Sequence, residues 1–202
     1  MSVAVINYHG AMGRWEPDAR GRLAKTAMAL YAEQGFEQTT VAEIAARAGL
    51  TERTFFRHFA DKREVLFSGM EMLRDRLVRA VADAPASATA MDAVSAAFEA
   101  AGAMLQENPE RARLRDAIVS ANAELREREL IKLAAFAAAV AGALRERGIA
   151  EPGASLAAET GAAVFKVTFA RWVGDPGQPD LPGMLRESMA ELKGVLADRA
   201  VV

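Results

Sequence analysis

The four residues Ala48-Gly49-Leu50-Thr51, set between two short runs of helical periodicity, constrain this chain more tightly than any other feature. Upstream, Thr40-Val41-Ala42-Glu43 reads as a capping box, in which the Thr40 hydroxyl accepts from the third helical N–H while Glu43 reaches back to the Thr40 N–H. Val41, Ile44, Ala45 and Ala48 then share one face, and Gly49 ends the helix where a left-handed residue is needed. Thr51 caps the next helix almost at once. In the segment 52–59, Phe55 and Phe59 fall four apart and join Leu50 in a core, whereas Arg53 and Arg57 occupy another face with Glu52 and Phe56 near them. Two short helices with this turn have the length and chemistry of a helix-turn-helix, centred on residues 39–59.

The surrounding chain predicts an all-α protein. A helix beginning at Pro17 carries Leu23, Ala27, Leu30 and Tyr31 at three- and four-residue steps until Gly35 stops it. Residues 1–16 show no period and read as a mobile N-terminal arm, leaving a reading domain at 17–66 and a second helical domain at 67–202. Asp61 with Glu64 opens a fourth helix over 61–83, long enough to connect the two. Beyond the linker Ala84 to Thr89, further helices are expected near 90–106, 109–120, 122–147, 154–173 and 181–198, with no strand pattern and no repeat.

Charge distribution agrees with a confined nucleic-acid contact. The chain carries a net −2, yet Arg47, Arg53, Arg57, Lys62 and Arg63 against Glu52 and Asp61 make residues 47–63 net +3. Phosphate attraction is thereby limited to one face of an otherwise acidic molecule. With no Cys and only His9 and His58, a thiolate site is excluded and a zinc site is not expected; no cofactor is expected either. The longest apolar run, residues 133–144, is well short of the roughly 20 residues a membrane span needs. The N-terminus lacks a secretory pattern, and a cytoplasmic location is expected.

The stretch from Arg22 to Leu66, about a quarter of the chain, resembles the DNA-binding domain of the tetracycline-repressor-like (TetR) family. The likeness is carried without a gap by Ala27, Gly35-Phe36, Thr39-Thr40-Val41, Ile44-Ala45, Ala48-Gly49-Leu50-Thr51, Thr54-Phe55, His58-Phe59, Lys62 and Glu64-Val65-Leu66. The resemblance implies a three-helix DNA-binding domain, a larger helical domain dimerising through its last two helices, and a small-molecule pocket. It also implies that effector binding moves the fourth helix, and the expectation of a repressor rests on it alone. Phe56 stands where the family usually has Tyr, so a phenol hydroxyl is missing; Arg57 beside it either restores a phosphate contact or reads a guanine.

The expected DNA-binding residues are Thr40, Thr51, Glu52, Arg53, Thr54, Phe56, Arg57, His58 and Lys62. Either arginine suits guanine N7 and O6, Glu52 accepts from cytosine or favours its own helix N-terminus, and Thr40 and Thr51 sit where capping and phosphate binding use the same N–H groups. Lys62 and His58 are read as phosphate donors, His58 alternatively as a packing residue.

In the second domain Met104, Leu114, Ile118, Phe136, Val140, Phe165, Phe169 and Trp172 are candidates to line a pocket, which predicts a small apolar effector of little charge. Asn122 reads as a helix cap. Small residues Ala157, Ala158, Gly161 and Ala162, with Leu181, Leu185, Met189, Leu192 and Leu196, predict a four-helix interface across a two-fold axis and hence a near-palindromic operator. Two rivals remain: a helix-turn-helix dimer with no small-molecule effector, and a helical enzyme using the C-terminal cavity. For the latter the sequence offers no recognisable nucleophile, metal set or phosphate loop.

Overall fold

The computed structural model describes residues 18–177 and 179–197, with the side chains of residues 196 and 197 left aside. The expected arm at residues 1–16, and Pro17, lie outside the described residues. Ten helices and no strand make up the described chain: α1 Ala19–Gln34, α2 Val41–Arg47, α3 Glu52–His58, α4 Lys62–Leu66, α5 Met70–Asp83, α6 Ala90–Gln106, α7 Pro109–Ala121, α8 Ala123–Glu146, α9 Gly153–Gly174 and α10 Leu181–Ala197. Local chemistry sets most ends. Asp18, Thr40, Thr51, Asp61, Thr89, Asn108 and Asn122 each accept from a first-turn N–H. Gly35, with φ 87°, stops α1.

The expected helix over 61–83 is broken. Val65, Leu66, Phe67 and Ser68 are all buried, and four consecutive residues cannot lie on one face of a helix, so the chain turns. Phe67, Ser68 and Met70 donate to carbonyls three residues back, at Glu64, Val65 and Phe67. The Leu66 carbonyl thereby loses its usual helical partner and accepts from Arg115 Nε at 2.9 Å, while Ser68 O accepts from Arg20 Nη1 at 3.1 Å.

Two cores result. The first gathers Leu23, Ala27, Tyr31, Ile44, Phe55, Phe59 and Val65 from α1–α4, and is closed by Val119 of α7 and Leu125 of α8. The α1–α4 unit therefore packs directly on the helices that follow it. Ion pairs reinforce this seam: Arg128 with Glu64 at 2.7 Å, Lys132 with Glu64 at 3.6 Å, and Arg63 with Glu124 at 3.0 Å. The second core joins α5, α6, α8, α9 and α10 around Leu77, Phe98, Val140, Phe165, Trp172 and Leu185. Met70, the first residue of α5, packs against both.

The residues expected at a dimer interface mostly serve this second core. Ala158, Gly161, Leu181, Leu185 and Met189 are buried within the protomer, and Ala162 and Leu192 are half-buried. The side chain of Leu196 lies outside the described residues. The small residues of α9 admit α6, because a Cβ on Gly161 would lie 2.3 Å from Val94 Cγ1 and 2.6 Å from Phe98 Cε2. Arg186–Glu99 and Lys193–Asp92 pairs fasten α10 to the same helix. The opposite side of α9 is the exposed one, with Leu156 64 % and Val167 61 % accessible, and Val195 of α10 is 64 % accessible.

Candidate nucleic-acid interface and effector cavity

The reading helix is presented by two capped ends around one tight turn. Thr40 and Glu43 form the full capping box: Thr40 N donates to Glu43 Oε2 at 2.8 Å and Glu43 N donates to Thr40 Oγ1 at 3.2 Å. These bonds hold the Glu43 carboxyl below its ordinary range, the Thr40 backbone donor contributing most. At the other end of α2, Gly49 takes φ 68°, Leu50 N donates to Ala45 O and Gly49 N to Ala46 O. This double bond is a Schellman closure, and it needs the left-handed conformation that glycine adopts without strain. Thr51 Oγ1 then accepts from Thr54 N at 3.2 Å and pairs with Thr54 Oγ1 at 3.0 Å.

Along α3, Phe55 is fully enclosed and Phe59 nearly so, their rings 5.5 Å apart, which fixes the opposite face outward. That face carries Glu52, Arg53, Phe56 and Arg57, all exposed, with Phe56 54 % accessible. Among the described residues neither arginine has an acidic or hydrogen-bonding partner. Two cations held outward on a short helix whose back is bolted into a core match what a major groove requires of a reading helix. His58 is half-buried, and its Nε2 is enclosed with no hydrogen-bond partner, which places that atom away from the open face.

Lys62 corrects the expectation of a phosphate contact. Its Nζ donates to the carbonyls of Phe36 at 2.9 Å, Glu37 at 3.0 Å and Thr39 at 3.0 Å, and lies 4.6 Å from the centre of the Phe36 ring. All three ammonium protons are used inside the protein. The lysine closes the α1–α2 loop, which positions α2 and through it α3. Tyr31 completes this lock by donating from its hydroxyl to Lys62 O at 2.7 Å, and burial pushes its phenol well above its ordinary pKa.

Between α5, α7, α8 and α9 lies a cavity of about 360 Å³. Phe136, Phe165 and Phe169, three of the expected lining residues, border it with Met70, Leu73, Leu105 and Leu133. Met104 borders a neighbouring cavity of about 260 Å³ instead. Leu114 and Ile118 pack against the reading unit's core, because α7 turns that face towards α1. Val140 and Trp172 are fully enclosed in the second core, the indole donating to Pro179 O at 2.9 Å. The larger cavity also has polar walls that the sequence reading missed, among them Arg115, Asp116, Arg126, Glu129 and Lys166. These come from three helices, and no local spacing brings them together. Burial, followed by the charge of Glu129, raises the Asp116 carboxyl above its ordinary range. Asn122 caps α8 as expected and also donates to Glu37 at 3.2 Å.

Residues 23–68 match the family described as bacterial regulatory proteins, tetR family. The chain is 38 % identical over 81 residues to the HTH-type transcriptional regulator TcmR of Streptomyces glaucescens, covering 40 % of this chain and 36 % of that protein. It is 43 % identical over 47 residues to the HTH-type transcriptional repressor KstR2 of Mycobacterium tuberculosis, covering 23 % of this chain and 24 % of that one. The matched stretches thus span about a third or less of these relatives' own length. Among solved structures, the fold resembles the regulator FadR of Bacillus subtilis in complex with stearoyl-CoA, with TM-score 0.63 and 21 % identity over 84 % of this chain and 95 % of that one. It also resembles the SmeT–triclosan complex, with TM-score 0.61 and 24 % identity over 85 % of this chain and 90 % of that one.

Proposed function

We propose, from the match of residues 23–68 to the tetR family of bacterial regulatory proteins, that this chain is a homodimeric repressor that reads a near-palindromic operator with α3 and leaves it when an apolar effector fills the α5–α9 cavity. The observation that carries the DNA-reading half is the outward face of α3, where Arg53 and Arg57 stand exposed without partners among the described residues while Phe55 and Phe59 anchor the back. Arg53, one turn nearer the helix N-terminus, reads base edges, and Arg57 beside the hydroxyl-less Phe56 serves the phosphate backbone. Thr40 and Thr51 offer capped helix starts to the same backbone.

The effector reading is supported by the cavity's apolar floor of Leu73, Leu105, Leu133, Phe136, Phe165 and Phe169. The FadR structure that shares this fold is in complex with stearoyl-CoA and the SmeT structure with triclosan; the stearoyl chain and triclosan support an apolar occupant and no particular compound, whereas the charged CoA portion supports nothing here. Dimerisation is assigned to the exposed side of α9, where Leu156, Thr160, Ala163 and Val167 recur at steps of four, three and four, together with Val195 of α10.

Operator binding by the wild type, Arg53→Ala and Arg57→Ala, on fragments upstream of the protein's own gene and its neighbours, tests the reading. Arg53→Ala is expected to cost about 1–3 kcal/mol and relax preference at one base pair per half-site. Arg57→Ala is expected to weaken all sequences alike and to reduce the salt slope by about one for each phosphate that Arg57 neutralises. Unchanged affinity and unchanged slope in both variants would remove α3 as the reading helix.

A further inference from the structure

Arg115 of α7 borders both cavities, as do Met70, Leu73, Leu105 and Ala112. Its guanidinium is tied in two directions: Nε donates to Leu66 O at 2.9 Å, the carbonyl left over by the break between α4 and α5, and Nη1 donates to Glu129 Oε1 at 2.5 Å. The guanidinium carbon lies 5.1 Å from the centre of the Phe67 ring, on the turn between the same two helices. Nη2 is enclosed and has no hydrogen-bond partner. A desolvated cationic N–H without an acceptor is held at a cost that no bond returns. The tie from the cavity wall to the reading unit is therefore incompletely satisfied, and the guanidinium gains a bond if an acceptor is brought to it.

We propose that Arg115 is the residue through which occupancy of the cavity reaches the DNA-binding unit, and that the occupant is an apolar molecule carrying one uncharged carbonyl oxygen. The proposal rests on the reading of the cavity as an effector site. Because Nη2 is enclosed, the guanidinium first turns to bring it to the carbonyl, and that turn draws Nε off Leu66 O. The α4–α5 junction then loses the bond that replaces its missing helical one. Met70 transmits the change in both directions, since it begins α5, borders the cavity and packs against both cores. An uncharged acceptor fits because Glu129 already neutralises Arg115, and a further anion would meet both Glu129 and Asp116. The remaining cations of the wall, Arg126 and Lys166, are exposed to water and draw an anion outward, away from Arg115.

Hydrogen exchange on the full chain tests this, with the wild type, Arg115→Met and Arg115→Lys, each alone and with methyl octanoate, octanoate or octane. Without ligand, both variants should exchange amides 67–73 about tenfold faster than the wild type while α6 is unchanged. Methyl octanoate should raise the wild-type melting temperature and speed exchange at 67–73, and should no longer affect that junction in either variant. Arg115→Lys keeps the charge and the stem, and carries the test if Arg115→Met does not melt cooperatively. Junction exchange unchanged in both variants would overturn the latch, and octanoate or octane matching the ester would overturn the carbonyl assignment. If none of the three compounds shifts the wild-type melting temperature, the cavity fails as a site for such effectors, whereas faster exchange in the ligand-free variants would still support the latch.

Discussion

At the scale of single residues, Lys62 shows how a cation in a DNA-binding motif can be structural. Three carbonyls at the end of the α1–α2 loop converge on its Nζ, and no other side chain supplies three donors from a single atom. Lys62→Met keeps the stem over Phe36 and removes the donors, leaving three carbonyls to find water. The variant is expected to lose about 2 kcal/mol in urea unfolding, a net value below the sum of three charge-assisted bonds because the site is only half-buried. Because Lys62 positions α3 and neutralises no phosphate, operator affinity per folded molecule should fall, if at all, without a change in its salt slope. A variant of unchanged stability with a salt slope reduced by about one would return Lys62 to the phosphate-binding role.

At the scale of elements, the α6–α9 contact depends on Gly161. The helices approach so closely that Val94 and Phe98 occupy the space of a Cβ, and the neighbours are a branched residue and an aromatic ring already enclosed by the core. Gly161→Val is therefore expected to destabilise the fold by about 2–3 kcal/mol or more through overpacking, despite the higher helix propensity of the new residue. Thermal or urea unfolding at two protein concentrations checks the assignment. A stability loss independent of concentration follows from a contact inside one protomer, whereas a loss that disappears on dilution would mean that α9 uses Gly161 to meet a partner.

At the scale of the whole molecule, the reading unit and the effector cavity share α7. Val119 closes the core of the first, Ala112 and Arg115 border the cavity, and all three lie on one thirteen-residue helix. On the proposed function, this continuity is the route by which cavity occupancy reaches α3 without a flexible linker between them. The proposed dimer adds the second reading head. Val167→Glu places a charge at the middle of the exposed α9 stripe and disturbs nothing in the protomer core, since Val167 is 61 % accessible. Sedimentation at micromolar concentration should show a dimer for the wild type and a dissociation constant raised at least about tenfold for the variant, with unchanged helicity. Equal sedimentation of the two would move the interface to another face.

The sequence by itself determined the parts whose cause is local. The Thr40–Glu43 capping box, Gly35, Gly49 and the caps at Thr51 and Asn122 place the bounds of α1–α3 and the start of α8 within a residue or two, and the four-residue spacing of Phe55 and Phe59 decides which face of α3 turns outward. These signals act within one or two helical turns and can be read without knowing what lies across the core. Tertiary structure alone decided the rest. The 61–83 helix breaks because four consecutive residues are buried against different neighbours, Lys62 turns inward because a loop 23–26 residues earlier offers it three carbonyls, and Leu181 and Leu185 of α10 are buried against α6. Arg115 and Glu129 meet across two helices, fourteen residues apart. An apolar or charged residue looks the same in sequence whichever surface it packs against, and only the packed chain selects one.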